Sequence, residues 1–224
     1  MSKIADLMLM AAGGAGGVQP TEYVGATSAS GVSSLDAANI SGIATGDTFI
    51  LAAADDSHLF DVIAPSWSGM TAGFPVPIFE NSIEHIVCTK TASASGNSVS
   101  FEDDGDPHEV DAICAVAFRN MGTPPSTPTA SQTTAAGSSF SVPSMTVTEE
   151  GSTSVIIAMI DDDNATISSV PSGYTLAVEN GRIGGSLAIM YQLGLSAGAT
   201  GTINGTWSGS DNLLTYGYII PPPA

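Results

Sequence analysis

Short apolar runs, separated by small and polar residues, recur along most of this chain. Continuous apolar segments at 48–54 and 154–160 are typical of strands that are buried on both faces. Residues 83–90 and 186–192 form further apolar or alternating runs, and each run precedes a turn of small residues. No sustained helical period follows the N-terminal segment. The pattern predicts an all-β protein with about five strands in each half.

Two passages of the chain share one pattern, in which a glycine, an apolar run and two aspartates precede a Pro-Ser pair. Asp55 matches Asp161 and Pro65 matches Pro171, and both pairs are 106 residues apart. A repeat of this length indicates a doubled β-sheet unit and not a solenoid. We therefore expect pseudo-repeats at about 24–122 and 139–224.

The segment 121–139 is rich in proline, serine and threonine, and it separates the two halves. Its composition alone fits a linker between two small domains. The alternative is a surface crossing within one jelly roll, whose sheets would contain strands of both halves. Each half has few large apolar residues, which favours a common core. The favoured prediction is a jelly-roll-like antiparallel β-sandwich over 24–224 with an internal two-fold repeat.

Residues 1–23 are predicted to form an N-terminal docking segment with a glycine-rich tether. The apolar stretch at 7–12 is short for a signal peptide and follows Asp6, although an exported leader remains the alternative. We expect this stretch to insert into a groove or sheet edge of a partner. The docking side chains would be Ile4, Leu7, Met8, Leu9 and Met10.

Four lysines and arginines face 22 carboxylates, which gives a formal net charge of −18. Phosphate binding requires clustered cations, and the acidity opposes docking on anionic lipid. The charge therefore predicts neither a nucleic-acid nor a membrane partner. Cys88 and Cys114 lie inside apolar strand-like runs, as buried thiols or as partners on adjacent strands, without a disulfide framework.

An acidic stretch at 102–109 places oxygen ligands around a glycine, an arrangement that suits Ca²⁺. The favoured alternative is an acidic hairpin with Asp-Gly as its turn. The aspartates after the strands at 55 and 161 could mark paired cation sites, but the favoured alternative is that they solvate the ends of the strands and cap the turns that follow. The candidate calcium ligands are Asp103, Asp104, Asp106, Asp161 and Asp162. No other cofactor is predicted.

Catalytic signals are weak in this sequence. The three histidines lack metal-ligand spacing, and the chain contains neither a Gly-x-Ser-x-Gly elbow nor a His-Glu-x-x-His motif. We therefore predict that the protein is not an enzyme. Trp207, flanked by glycine and serine, could lie in the core or at the rim, and it is the candidate platform for stacking on a glycan. Trp67 and Tyr174 occupy related repeat positions, which favours a packing role for both.

The Gly-Asp-hydrophobic-Asp-Asp pattern at 46–56, Pro-Ser-Gly-Tyr at 171–174 and Ala-Gly-Ala-Thr-Gly-Thr-Ile at 197–203 resemble a family of two-repeat phage virion proteins. The first copy departs from that family because no glycine precedes Trp67. The segment 4–14 is similar to the N-termini of virion proteins from marine phages. The resemblance transfers no catalytic residues.

This resemblance implies a virion structural protein of jelly-roll type. It would be attached by its N-terminus to other virion proteins of the capsid or tail, and it would form a homo-oligomer on the particle. Head decoration, cement and spike roles all fit such a protein. The alternative is a lectin-like, receptor-binding module of a tail fibre or baseplate.

Overall fold

The architecture is that of a computed structural model, and the described residues consist of β-strands and connections without an α-helix. The described residues are 19–36, 39–55, 66–67, 78–80, 83–92, 98–100, 102–103, 106–107, 110–182 and 184–224. No helix among them is long and apolar enough to cross a membrane. The all-β prediction is confirmed.

The strands of the first half are β1 (Glu22–Ala29), β2 (Ser34–Asp36), β3 (Thr48–Asp55), β4 (Ser66–Trp67), β5 (Ile78–Glu80), β6 (Ile83–Thr91), β7 (Ser98–Ser100), β8 (Glu102–Asp103), β9 (Asp106–Pro107) and β10 (Ala112–Arg119). Those of the second half are β11 (Ala130–Val142), β12 (Thr146–Val147), β13 (Ser152–Ile160), β14 (Ile167–Ser169), β15 (Thr175–Arg182), β16 (Gly185–Leu195), β17 (Gly198–Ala199) and β18 (Ile203–Ile220).

Two large antiparallel sheets dominate the fold. The first large sheet has the order β1-β10-β3-β6-β5, and the second has the order β11-β18-β13-β16-β15. In each large sheet the first strand of the half (β1 or β11) pairs with the last (β10 or β18). The last strand pairs in turn with β3 or β13, and a hairpin (β5–β6 or β15–β16) forms the far edge of the sheet. Within the described residues no sheet mixes strands of the two halves, unlike the common sheets considered above, because strands that are near in sequence pair locally.

A smaller layer covers the outer face of each large sheet. In the first half this layer is β2-β7-β4, and in the second half it comprises the end of β11, the start of β18 and β14. Leu35 and Val99 of the first small layer pack with Phe49 beneath them. Phe140 of the second small layer packs with Ile156. Each half therefore encloses a core of its own.

A third core lies between the two large sheets, and we call it the shared interior. Along β3, Ile50 and Ala52 belong to the shared interior, whereas Phe49 and Leu51 belong to the outer core of the first half. This alternation follows from the two-residue period of a strand. From the second half, Val155 and other apolar residues of β13, β16 and β18 complete the shared interior. Residues of both halves are thereby removed from water together.

The turns that precede β3 and β13 show how the two halves correspond. The amide of Gly46 donates to Ala92 O at 3.0 Å, and that of Gly151 donates to Leu195 O at 2.8 Å. Both glycines have positive φ angles, 97° and 85°. These glycines are 105 residues apart, whereas Asp55 and Asp161 are 106 residues apart. The second copy therefore has one more residue between the glycine and the aspartates, and β13 has nine residues where β3 has eight. Spacing by 105 matches Ile50 with Val155, which both face the shared interior.

The structure changes the expectation for the segment 121–139. Residues from Ala130 onward form the first part of β11, a 13-residue strand at the edge of the second large sheet. Its threonines and serines are half-buried or exposed, and the β-branched threonines suit a strand at the edge of a sheet. Only the proline-rich part before Ala130 connects the halves.

Cys88 and Cys114 do not lie on adjacent strands, because β6 and β10 flank β3 on opposite sides. Two strand spacings are about 9.6 Å, which exceeds the Cα separation of a disulfide. Cys114 is a free, fully buried thiol that donates to Leu187 O at 3.7 Å across the shared interior. Burial, and secondarily the charge of Glu179, raises the pKa of Cys114 far above its ordinary value.

Alkaline pH should therefore destabilise the fold through Cys114. Its raised folded-state pKa gives a contribution to stability that is complete below the pKa of the unfolded thiol, about 8.5, and is lost as pH rises above it. We expect the free energy of unfolding to fall by up to about 1.4 kcal/mol per pH unit from this group. Urea unfolding between pH 8 and 10 under reducing conditions measures it. Cys114→Ala should flatten the slope, and an unchanged slope in that variant would contradict the assignment.

An ion pair fixes the end of β10 against the turn that begins β3. The Arg119 guanidinium donates to both carboxylate oxygens of Asp47, at 3.0 Å and 2.9 Å, and to Gly42 O at 2.9 Å. The Asp47 side chain is almost fully buried, and it also accepts from the amide of Ala44. Hydrogen bonding to Asp47 raises the pKa of Arg119. This bidentate contact joins the last strand of the half to the turn before β3.

Asp47→Asn should lower the free energy of unfolding by about 2 kcal/mol, because the buried side chain loses one of the two oxygens that accept hydrogen bonds from Arg119 and Ala44. Chemical denaturation measures the loss. The matched control is Glu22→Gln, since Glu22 is an exposed carboxylate directly across from Arg119 in the β1–β10 register. Equal losses of unfolding free energy in the two variants would show that the buried Asp47 contact contributes no more than the exposed carboxylate of Glu22.

Candidate functional site

The N-terminal segment joins the domain where three parts of the chain meet. The Thr21 hydroxyl donates to Asn120 O at 2.9 Å, and the Asn120 amide donates to Pro20 O at 3.5 Å. The amide of Gly122 donates to Pro221 O at 3.2 Å. We call this region, formed by 19–22, 119–122 and 220–224, the terminal end. The docking residues Ile4, Leu7, Met8, Leu9 and Met10 lie outside the described residues, and their role remains a prediction.

An aromatic cluster holds the terminal end together across the shared interior. The rings of Tyr23 and Tyr191 stack with centroids 4.7 Å apart and planes 15° apart. Phe118 meets both tyrosines edge to face. Burial raises the pKa of both tyrosines, with a smaller contribution to Tyr23 from Tyr191. The cluster fixes β1 against β16 and thereby sets where the N-terminal segment leaves the domain.

A cavity of about 620 Å³ opens at the terminal end. Pro20, Leu193 and Pro222 supply apolar surface, while Glu149 and Glu150 contribute carboxylates to its lining. The chain enters the described structure at this cavity, since Gln19 itself lines it. The arrangement offers apolar contact next to negative charge, which suits an apolar peptide with a basic flank.

The acidic stretches of the sequence lie at the opposite end of the molecule. Asp55 ends β3, and Asp161 follows β13 directly. Asp103 is opposite Asp106 in the backbone register of β8 and β9, and β10 begins beside the end of β3. We call this region the acidic end. Asp104 lies outside the described residues, and the hairpin agrees with the alternative of an acidic turn.

Near the acidic end, carboxylates hold turns together. Asp162 Oδ2 accepts from the amide of Ser210 at 2.9 Å, and Asp163 Oδ1 accepts from the amide of Gly184 at 2.8 Å. A side chain at Gly209 would collide with the Asp162 carboxylate. Among the described residues no three acidic, histidine or cysteine side chains are grouped to hold a metal ion. The geometry favours capping of the turn by Asp162 over calcium binding.

Asp162→Ala should lower the free energy of unfolding by about 1–2 kcal/mol, because the Ser210 amide loses its acceptor. Thermal unfolding with Ca²⁺ and with EDTA measures both roles of Asp162, and we expect the same Tm in the two solutions. Glu150→Ala, at an exposed carboxylate of the terminal end, is the control with a change near zero. A Tm that rises with Ca²⁺ in the natural chain but not in the Asp162 variant would restore the calcium hypothesis.

Trp207 cannot stack on a glycan, so this prediction was wrong. Its side chain is only 2% exposed and belongs to the outer core of the second half. Trp207 lies on the same strand face as Ile203 and Gly205, which are also buried, whereas the intervening Asn204 is exposed. Flanking glycine and serine gave no information about this alternation. Tyr174 is half-buried, and its hydroxyl donates to Ser154 Oγ at 2.8 Å.

A second cavity, of about 540 Å³, opens beside Tyr174 at the open edge of the outer core of the second half. The end of β16 and the start of β18 contribute Gln192 and Asn204 to its lining. The turn that carries β17 closes another side. None of the described residues that line it is charged, so we call it the neutral pocket. Sequence reasoning missed it because Ser196–Gly201 shows only the composition of a turn.

Comparison of the chain with protein-family models, curated proteins and solved structures gives no significant match. A proposal about function therefore rests on the geometry of the terminal end, the acidic end and the neutral pocket.

Proposed function

We propose that the protein is a non-enzymatic structural component of a phage particle, exposed on its surface and attached through the N-terminal segment. One observation carries this proposal: the N-terminal entry, the C-terminal prolines and a partly apolar cavity all lie at the terminal end. A domain whose tether and apolar surface share one end is suited to docking by that end. Its partners would be other virion proteins of the capsid or tail.

The pairing within each half supports a jelly-roll topology. Apart from the small β8–β9 hairpin, the first strand of the first half pairs with its last (β1–β10), the second with the second-last (β2–β7) and the third with the third-last (β3–β6). In the second half, β11 pairs along its length with β18, and β13 pairs with β16. Such nested pairing is how a jelly roll wraps.

We infer that the chain arose by doubling of one jelly-roll unit, and that the two copies pack back to back. The matching turns at Gly46 and Gly151 and the common order of the large sheets support this inference. Jelly rolls form viral capsid proteins and also lectins, so the fold alone leaves both roles open.

The charge distribution supports exposure of the acidic end on the particle surface. With a net charge of −18, copies of the chain repel one another wherever their carboxylates face solvent. If the chain docks by the terminal end, the acidic end faces away from the particle. Repulsion between the carboxylates of neighbouring particles then opposes aggregation. Repeated positions on a particle also imply symmetric copies of the chain.

The second candidate function is that of a receptor-binding, lectin-like module of a tail fibre or baseplate. The uncharged pocket beside Tyr174 favours it, whereas the buried Trp207 no longer does. Both candidates agree with attachment by the terminal end.

Deleting residues 1–17 should abolish incorporation into particles without unfolding the domain, because the contacts of Thr21 and Asn120 remain. Circular dichroism and thermal unfolding of the truncated protein check the fold, and quantitative mass spectrometry of purified particles measures copy number. The matched control changes only the tether, by replacing Gly13, Gly14, Gly16 and Gly17 with serine. Incorporation of the truncated chain at the normal copy number would overturn attachment through this segment.

A further inference from the structure

We propose that the neutral pocket binds an uncharged saccharide. The proposal goes beyond the structural role, and it holds wherever on a particle the chain lies. The pocket volume of about 540 Å³ is in the range of small-ligand sites, roughly 300–1,000 Å³. The residues that would contact the ligand are Ser172, Tyr174, Gln192, Ser196, Thr202 and Asn204.

The chemistry of the lining selects the class of ligand. The amides of Gln192 and Asn204 each provide donors and an acceptor, and the serine and threonine hydroxyls do the same. Sugar hydroxyl groups also donate and accept, so these side chains complement them in either direction. The Tyr174 ring adds an aromatic surface that can cover the apolar face of a pyranose ring.

Electrostatics exclude anionic sugars from this site. The described lining contains no lysine or arginine, and the whole chain has only four such residues against 22 carboxylates. A carboxylate or sulfate on the sugar would meet the negative field of the protein without a charged partner. The saccharide is therefore neutral.

The walls of the pocket are fixed before a ligand arrives. The amide of Tyr174 donates to Pro171 O at 3.0 Å, and its hydroxyl is held by Ser154 at 2.8 Å. Gly173 has a φ of 82°, and a Cβ there would lie 3.1 Å from the Gln192 amide nitrogen. The turn and the Gln192 side chain are thus closely packed, which lowers the ordering cost of binding.

A further clamp holds the opposite wall. The Thr200 hydroxyl accepts from the amide of Met145 at 2.9 Å and donates to Gly201 O at 2.8 Å. The amide of Thr200 donates to Met145 O at 2.9 Å. This pair of contacts ties the turn that carries β17 to the segment before β12. Ser196 and Thr202, on either side of this turn, are exposed toward solvent and a ligand.

Saturation-transfer NMR on the purified full chain tests the proposal. The probes are glucose, galactose, mannose and N-acetylglucosamine, with glucuronic acid and N-acetylneuraminic acid as the anionic arm, all at millimolar concentration. We expect transfer to at least one neutral sugar and none to the anionic sugars. Gln192→Ala and Asn204→Ala should each weaken binding about tenfold, the effect of one lost hydrogen bond of the stronger kind.

The matched control is Asn212→Ala, which removes an amide side chain outside the pocket and should leave binding unchanged. Thermal unfolding shows that each variant is folded, and exposed Asn204 is the position least prone to misfolding. The proposal is overturned if no neutral sugar binds, if anionic sugars bind as well, or if both pocket variants bind like the control. Particle incorporation is measured separately, so failure here leaves the structural role standing.

Discussion

Packing between the two large sheets is the constraint on which the rest of the molecule depends. The first large sheet presents small side chains such as Ala52, Ala112 and Cys114, and the second fills the space between them with larger ones such as Met159 and Tyr216. Either half alone would expose this apolar face to water, in the way that marks an interaction surface. The shared interior therefore joins the two halves through apolar contact, although each also encloses a core of its own.

This packing also determines what lies at each end. Because the starts of the strands in both sheets are aligned, β1 meets β16 through the stacked Tyr23 and Tyr191, and residues 19–21 meet the C-terminal prolines beside them. The strand exits are aligned in the same way, so aspartates that are far apart in sequence gather at the acidic end. The partly apolar cavity lies at one end of the domain and the aspartates that follow β3 and β13 lie at the other, so the two ends differ in chemistry.

The neutral pocket is formed by turns that come together in the folded chain. Its walls come from three segments that meet only because β16 and β18 flank β13. Gly173 permits the close approach of its turn to Gln192, and Thr200 anchors the facing turn. A concave cavity with a few convergent polar groups and preorganised walls is where binding of a small ligand is expected.

The sequence by itself determined the strand class, the positions of the long apolar strands and the acidic character, because a two-residue period, continuous apolar runs and charge are local properties. It also indicated correctly that aspartates after β13 would cap turns. The tertiary structure alone decided that Trp207 is buried, that residues from Ala130 form a strand and that Ile50 corresponds to Val155. These facts depend on register and on contacts between distant segments, and a shift of one residue moves a side chain from one face of a sheet to the other.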